Sequence, residues 1–371
     1  MTRSAGRVRL ALLALVAIVG VSSPAVADAP RDAQWHLRFL DVDRAHQLSQ
    51  GANVVVAVVD SGVDGTHPDL AGNVTTGTET FVGNNGGNGW TDATGHGTRM
   101  AGLIAAHGHG VHNTDGALGI APKATILPVR AGTIEPTAIG TSIRWATEHG
   151  ARVISVSAGG EDQAHNTQAA VADAIAHDVV VVAGAGNKPE VSRVIYPAAY
   201  PGVVAVAGVD RNGNHAELSV AGREVVLSAP ATDIVTSDLG RKYRPASGTS
   251  DATAIVAGAA ALVRARFPNL SAVEVIHRLT ATAIDKGPKG RDEQYGYGIV
   301  NLVGALTADV PPLPTSSSPT SGSSRPSASL RSGPAPGKRM SPWPGLLVVL
   351  GILVVVGIVG AASAMRRRRT G

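Results

Sequence analysis

Residues 248–263 read Gly248-Thr249-Ser250-Asp251-Ala252-Thr253-Ala254-Ile255-Val256-Ala257-Gly258-Ala259-Ala260-Ala261-Leu262-Val263. A tight Gly-Thr turn and a serine are followed by small and apolar residues for about four helical turns. A helix that is apolar on every side has to be buried on every side. Its Ala and Gly content lets neighbouring backbones come close. Ser250 therefore stands where an internal helix begins, at the end whose free N–H groups and dipole favour negative charge. Taken alone, such a serine reads first as a helix cap. Other stretches of the chain change that reading.

Upstream, Val54-Val55-Val56-Ala57-Val58-Val59 is a continuous β-branched run that ends in Asp60-Ser61-Gly62. Such a run suits a strand covered on both faces, as in a parallel sheet. Similar runs recur at Thr125 to Val129, Val153 to Val156, Val179 to Ala183 and Val203 to Val209, with helical patterns at Ile139 to His149 and Thr167 to His177 between them. Strand, helix and strand in alternation predict an α/β fold with a mostly parallel sheet. The working site of such a fold lies beyond the carboxyl ends of its strands, where Asp60, Gly159 and Asn187 fall. Downstream, Pro268 breaks the central helix. Ser271-Ala272-Val273-Glu274 then has the spacing of a capping box that opens another helix through Leu279, and Tyr295 to Asn301 closes the domain.

The remainder of the 371 residues reads as attachments. Residues 1–27 carry Arg3, Arg7 and Arg9, an apolar core and Ala25-Val26-Ala27, the pattern of a secretory signal peptide. Residues 28–309 form the globular domain. Residues 310–345 are rich in Pro, Ser, Gly and Thr, a stalk with almost nothing to bury. Leu346 to Met365 is a run of 20 residues without a charge. As a helix it would span roughly 30 Å, the thickness of a bilayer's hydrocarbon core. Arg366 to Arg369, in the tail 366–371, are expected to stay cytoplasmic. The expectation is a single-pass protein of the cell membrane whose domain lies outside the cell.

The net charge of +4 divides unevenly. Eleven of the 32 bases and none of the 28 acids lie outside 28–309, so the domain carries 21 bases against 28 acids, a formal −7. An acidic domain argues against nucleic acid as a partner. The chain has no cysteine, which excludes disulfides, thiolate metal sites and a cysteine nucleophile.

Three short motifs sit at predicted strand or helix ends: Asp60-Ser61-Gly62, Gly95-His96-Gly97-Thr98 and Gly248-Thr249-Ser250. A fourth, Ala183-Gly184-Ala185-Gly186-Asn187, follows a strand. Singly, Asp60 reads as a turn residue, His96 as a cap and Asn187 as a loop residue. Jointly they supply the parts of acyl transfer. A hydroxyl is a poor nucleophile at neutral pH until an imidazole takes its proton. The imidazole needs a buried carboxylate to hold its tautomer and stabilise its cationic form. The tetrahedral oxyanion needs donors fixed in advance.

Five motifs in order, VAVVDSGVDGTHPDL at 56–70, GHGTRMAG at 95–102, VISVSAGG at 153–160, VVVVAGAGN at 179–187 and GTSDATAIVAGAAALV at 248–263, make the sequence resemble the subtilisin-type serine proteases, the subtilases, over about residues 35–305. The chain order Asp, His, Ser is also subtilisin's. The resemblance implies a three-layer fold and no cofactor. It implies Asp60 as the orienting acid, His96 as general base and then acid, and Ser250 as nucleophile. Asn187 and the Ser250 N–H would form the oxyanion hole, and Ser157-Ala158-Gly159 would pair with the substrate backbone by β-augmentation. Four features depart from the family pattern. Ala254 stands where the family commonly has Pro. Asp251 follows the serine directly. Arg99 replaces a frequent histidine. The segment Arg130 to Trp145, which would supply the opposite cleft edge, is short.

The layout of leader, protease domain, stalk, anchor and basic tail is similar to that of the mycosins, which serve type VII secretion, although mycosins usually carry cysteines. The sequence thus predicts a membrane-anchored endopeptidase acting on polypeptides, with a type VII secretion membrane complex as the implied partner. A stand-alone surface protease and a catalytically silent scaffold are the alternatives. His107, His109 and His112 could ligate zinc, but with only Asp115 nearby the stretch reads as a solvated loop. Asp69 matches a residue that helps bind calcium in some subtilases. The rest of that ligand loop is not recognisable, so no metal is expected.

Overall fold

The computed structural model describes residues 29–81, 86–131 and 136–313. The leader, nearly all of the stalk, the apolar run 346–365 and the basic tail lie outside the described residues. Among the described residues no helix is long and apolar enough to cross a membrane.

Helices α1 (Ala29–Asp32), α2 (Trp35–Phe39) and α3 (Val42–Leu48) precede strands β1 (Val55–Asp60) and β2 (Thr78–Glu79). Next come α4 (His96–Ala105) and a hairpin of β3 (His107–His109) with β4 (Asp115–Leu118). The alternating part follows: β5 (Thr125–Arg130), α5 (Pro136–Glu148), β6 (Val153–Val156), α6 (His165–Ala176), β7 (Val180–Gly184) and β8 (Val204–Val209). The chain closes with β9 (Val225–Pro230), a hairpin of β10 (Ile234–Asp238) and β11 (Lys242–Ala246), then α7 (Thr249–Arg266), α8 (Ala272–Ala281) and α9 (Leu302–Thr307).

Seven strands pair in the order β2-β5-β1-β6-β7-β8-β9, every pair parallel. At β1 the order turns, with β5 on one side and β6 on the other. A reversal of this kind opens a crevice at the carboxyl end of the strand, where Asp60 lies. Side chains alternate between two apolar layers, as the pleat requires. Val56, Val58, Val153, Val180, Val182, Val204 and Val206 enter one layer with residues of α4, α7, α8 and α9. Ala57, Val59, Ile154, Val156, Val181, Ala183, Ala205 and Ala207 enter the other with residues of α5 and α6. With both faces covered, the strands read as unbroken apolar runs rather than as alternation.

Helix α7 lies in the first layer, against α4 and strands β6 to β9. Every residue from Asp251 to Arg264 is buried. It runs three residues past the predicted end and stops at Phe267, ahead of Pro268, as the restriction on a residue before proline requires. The buried Arg264 carries its guanidinium out to Asp178, at 3.2 Å. Both bonds of the predicted capping box form at α8: Glu274 N donates to Ser271 Oγ and Ser271 N to a Glu274 carboxylate oxygen.

The sequence did not announce α2, α3, α9, β9 or the β10–β11 hairpin. Strand β11, Lys-Tyr-Arg-Pro-Ala, has no apolar alternation and holds its place by pairing with β10. Ile255 is fully buried in α7, whereas Val273 on α8 is 54% exposed. Ile255→Ala should therefore lower unfolding free energy by about 2–5 kcal/mol, against about 0.5 kcal/mol or less for Val273→Ala. Urea denaturation followed by circular dichroism checks both.

Candidate active site

The end of β1 and the start of α4 meet at the carboxyl edge of the sheet. Asp60 closes that strand and is 5% exposed. His96 is the first residue of α4, and its imidazole Nδ1 lies 2.8 and 2.9 Å from the two Asp60 oxygens. A carboxylate only accepts, so Nδ1 carries a proton, and in the neutral imidazole Nε2 keeps its lone pair. Asp60 Oδ1 also accepts from Ser61 N at 2.7 Å. The imidazole side chain is 36% exposed against 4% for the carboxylate, so one partner is fixed in protein while the other opens outward.

The flanking glycines make this meeting possible. Gly95 takes φ = 82° in the left-handed region, and a side chain at Gly97 would run into the Gly62 carbonyl. Asp92, which the sequence reading missed, then holds the start of α4. Its Oδ1 accepts from Ser61 Oγ, Thr94 N and Gly95 N, and its Oδ2 from Thr98 N and Thr98 Oγ1, at 2.7–3.0 Å. An aspartate three residues before the Gly95-His96 turn was the available signal, since Asp is a preferred helix-capping residue.

Ser250 lies in the first turn of α7, partly buried. The Asn187 Oδ1 accepts from Thr249 N at 2.9 Å and from Thr249 Oγ1 at 3.1 Å, which fixes the amide and leaves its NH₂ end free of that task. Asn187 Nδ2 and Ser250 N lie 3.6 and 3.8 Å from the space that a side chain on Gly248 would fill. Two donors thus flank one small gap at a helix N-terminus, the arrangement that suits an oxyanion. Thr249, also missed from sequence, is the positioning partner. Among the described residues the Ser250 hydroxyl makes no hydrogen bond to His96, a contact that in unliganded sites often tightens only with substrate present.

Electrostatics favour a charged imidazole. The His96 pKa is raised above the ordinary 6.5, first by the Asp60 charge, against desolvation, with further support from Asp251. Asp251 is itself buried, and burial pushes its pKa up to about 6 although Arg99 and His96 pull the other way. Arg99 Nη2 meets Asp251 Oδ1 at 2.8 Å.

Beyond the end of β6, Ala158 and Gly159 enter no backbone hydrogen bond among the described residues. Ser157 Oγ reaches the Ser250 carbonyl at 3.5 Å, and Gly160 bridges antiparallel to Tyr196. Backbone groups that make no hydrogen bond among the described residues therefore follow Ser157, which lies next to Ser250. The predicted opposite edge, Arg130 to Trp145, includes residues 132–135, which lie outside the described residues.

The histidine-rich stretch is not a free loop. His107 and His109 form β3, and His109 Nδ1 meets Asp69 Oδ1 at 2.6 Å. The other Asp69 oxygen accepts from Ala117 N and Ser237 Oγ. The Asp69 carboxylate is fully buried and committed to protein donors. Among the described residues no group of three or more His, Asp or Glu could hold a metal ion.

Residues 51–298 match the Subtilase family. Subtilisin DY of Bacillus licheniformis is 38% identical over 263 residues, which cover 69% of this chain and 92% of that protein. The thermostable alkaline protease of Halalkalibacterium halodurans is 35% identical over 272 residues, 72% of each chain. Among solved structures, MycP1 from Mycobacterium smegmatis is similar at a TM-score of 0.67 and 28% identity, over 80% of this chain and 91% of that one. The MycP3 protease from the type VII (ESX-3) secretion system is similar at a TM-score of 0.63 and 30% identity, over 74% and 88%. The family match and the relatives agree with the sequence motifs, and the chain belongs to the subtilase family of serine proteases.

Proposed function

We propose that this subtilase is a membrane-anchored, extracytoplasmic endopeptidase that cleaves exported polypeptides through an acyl-enzyme on Ser250 and serves a type VII secretion system. The observation that supports the chemistry is the Asp60–His96 contact at 2.8 and 2.9 Å. In this reading Ser250 Oγ bonds to the scissile carbonyl carbon as His96 Nε2 takes the hydroxyl proton, and Asp60 holds the resulting imidazolium. The carbonyl oxygen, now anionic, is received by Asn187 Nδ2 and Ser250 N. His96 then gives its proton to the amine as the C–N bond breaks. Water repeats the sequence to release the acid. The edge at Ser157, Ala158 and Gly159 pairs with the substrate backbone.

The anchoring and the secretion link rest on different support. The leader, the apolar 346–365 run and the four arginines after it carry the topology. The likeness to MycP1 and MycP3, whose names place them in type VII secretion systems, supports the partner.

A fluorophosphonate probe should label the protein, and Ser250→Ala should abolish the label. Folded protein that takes no label would favour a silent scaffold instead. A general base works only when neutral, and the Asp60 charge keeps His96 protonated to higher pH. The rate of kcat/KM should therefore fall away on the acid side from above pH 6.5, the ordinary imidazole value. Protease added to intact cells should remove the domain from the surface, and protection from it would defeat the topology.

A further inference from the structure

Arg99 and Asp251 form a buried ion pair that the mechanism above does not use. Their side chains are 5% and 3% exposed and meet at 2.8 Å. Arg99 lies one helical turn after His96 on α4, and Asp251 directly follows Ser250 on α7. The pair therefore joins the two turns that carry the imidazole and the hydroxyl. Stability does not explain it. Two charges taken out of water gain little over apolar side chains of similar volume, and the Arg99 Nε is buried with no hydrogen-bond partner among the described residues. One Asp251 oxygen also lies 3.8 Å from the gap beside Gly248. An unpaired anion there would repel a developing oxyanion, and the guanidinium offsets it.

We propose that the Arg99–Asp251 pair is a positioning clamp for peptide hydrolysis: it fixes the His96 turn of α4 against the Ser250 turn of α7, and its carboxylate favours the imidazolium that forms when His96 takes the Ser250 proton. The inference rests on the peptidase reading. The charged groups around the imidazole are Asp60 from β1, Arg99 from α4 and Asp251 from α7. Two more reach the turn before it. Asp92 binds Thr94, Gly95 and Thr98, and Asp238 of β10 packs against Gly95 while paired to Arg244 at 2.9 Å. Of these, Asp60 and Asp251 raise the His96 pKa and Arg99 lowers it, Asp251 by more than Arg99. Asp251→Asn removes one raising charge and leaves Arg99 without its partner, with Asp60 as the remaining raising charge.

The test measures the second-order rate of fluorophosphonate labelling against pH, with melting temperature measured in parallel. Asp251→Asn should move the acid limb to lower pH and cut the plateau rate on the order of tenfold, the effect of losing one nearby opposite charge. The double variant Arg99→Met/Asp251→Met serves if the single one unfolds. It should keep the wild-type melting temperature or exceed it, yet still show a lowered plateau and an acid limb shifted down. The exchange Arg99→Asp/Asp251→Arg restores an ion pair with its field reversed, and should restore the melting temperature without restoring the limb. Wild-type protein that takes no label would sink the peptidase reading and this inference together. Wild-type labelling with an unchanged limb and plateau in a folded Asp251→Asn or double variant would overturn the inference alone. So would full recovery of both in the exchanged pair.

Discussion

The structure depends on burying α7 all round. An 18-residue helix with no polar face cannot lie on a surface. It must be enclosed, here by α4 and the sheet. Enclosure fixes both of its ends. Near one end Arg264 stays buried and is paired with Asp178, and at the other Asp251 is paired with Arg99 of α4. Ser250 is thus held in the first turn of a helix whose packing also stabilises the domain.

Around that point the charges are arranged asymmetrically. Asp60 meets the imidazole directly and also accepts from the Ser61 backbone. Asp251 lies deeper and is held by one arginine contact, which is why burial raises its pKa to about 6. Both carboxylates favour a protonated His96, the first by contact and the second through the protein interior. A low-dielectric interior makes a charge at that second position count for more than it would at the surface.

Elsewhere, single aspartates tie segments together in a chain that has no disulfide to do so. Asp92 fastens the loop before α4 to that helix, and Asp69 fastens β3, β4 and β10 to the loop after β1. Asp178, at the turn between α6 and β7, takes Arg152 and Arg264 and the start of α8. At Asp69 the donors Ala117 N and Ser237 Oγ are buried and would otherwise lack partners. That is the larger part of what a buried hydrogen bond contributes.

The sequence by itself determined the class of fold and the parallel sheet, because their signals are local, and it singled out Asp60, His96, Asn187 and Ser250 through the subtilase motifs that hold them. Strands covered on both faces are written as runs such as Val54 to Val59, and a fully buried helix as the run after Ser250. The capping box at Ser271 was legible for the same reason. Tertiary structure decided what depends on distant partners. Nothing near Asp92 in sequence names Ser61, and nothing near His109 names Asp69. Strand β11 exists because β10 pairs with it. Arg99 and Asp251, 152 residues apart, looked like two separate departures until folding brought them to 2.8 Å. A salt bridge between helices has no periodicity and no spacing, so only the packing of α4 against α7 could reveal it.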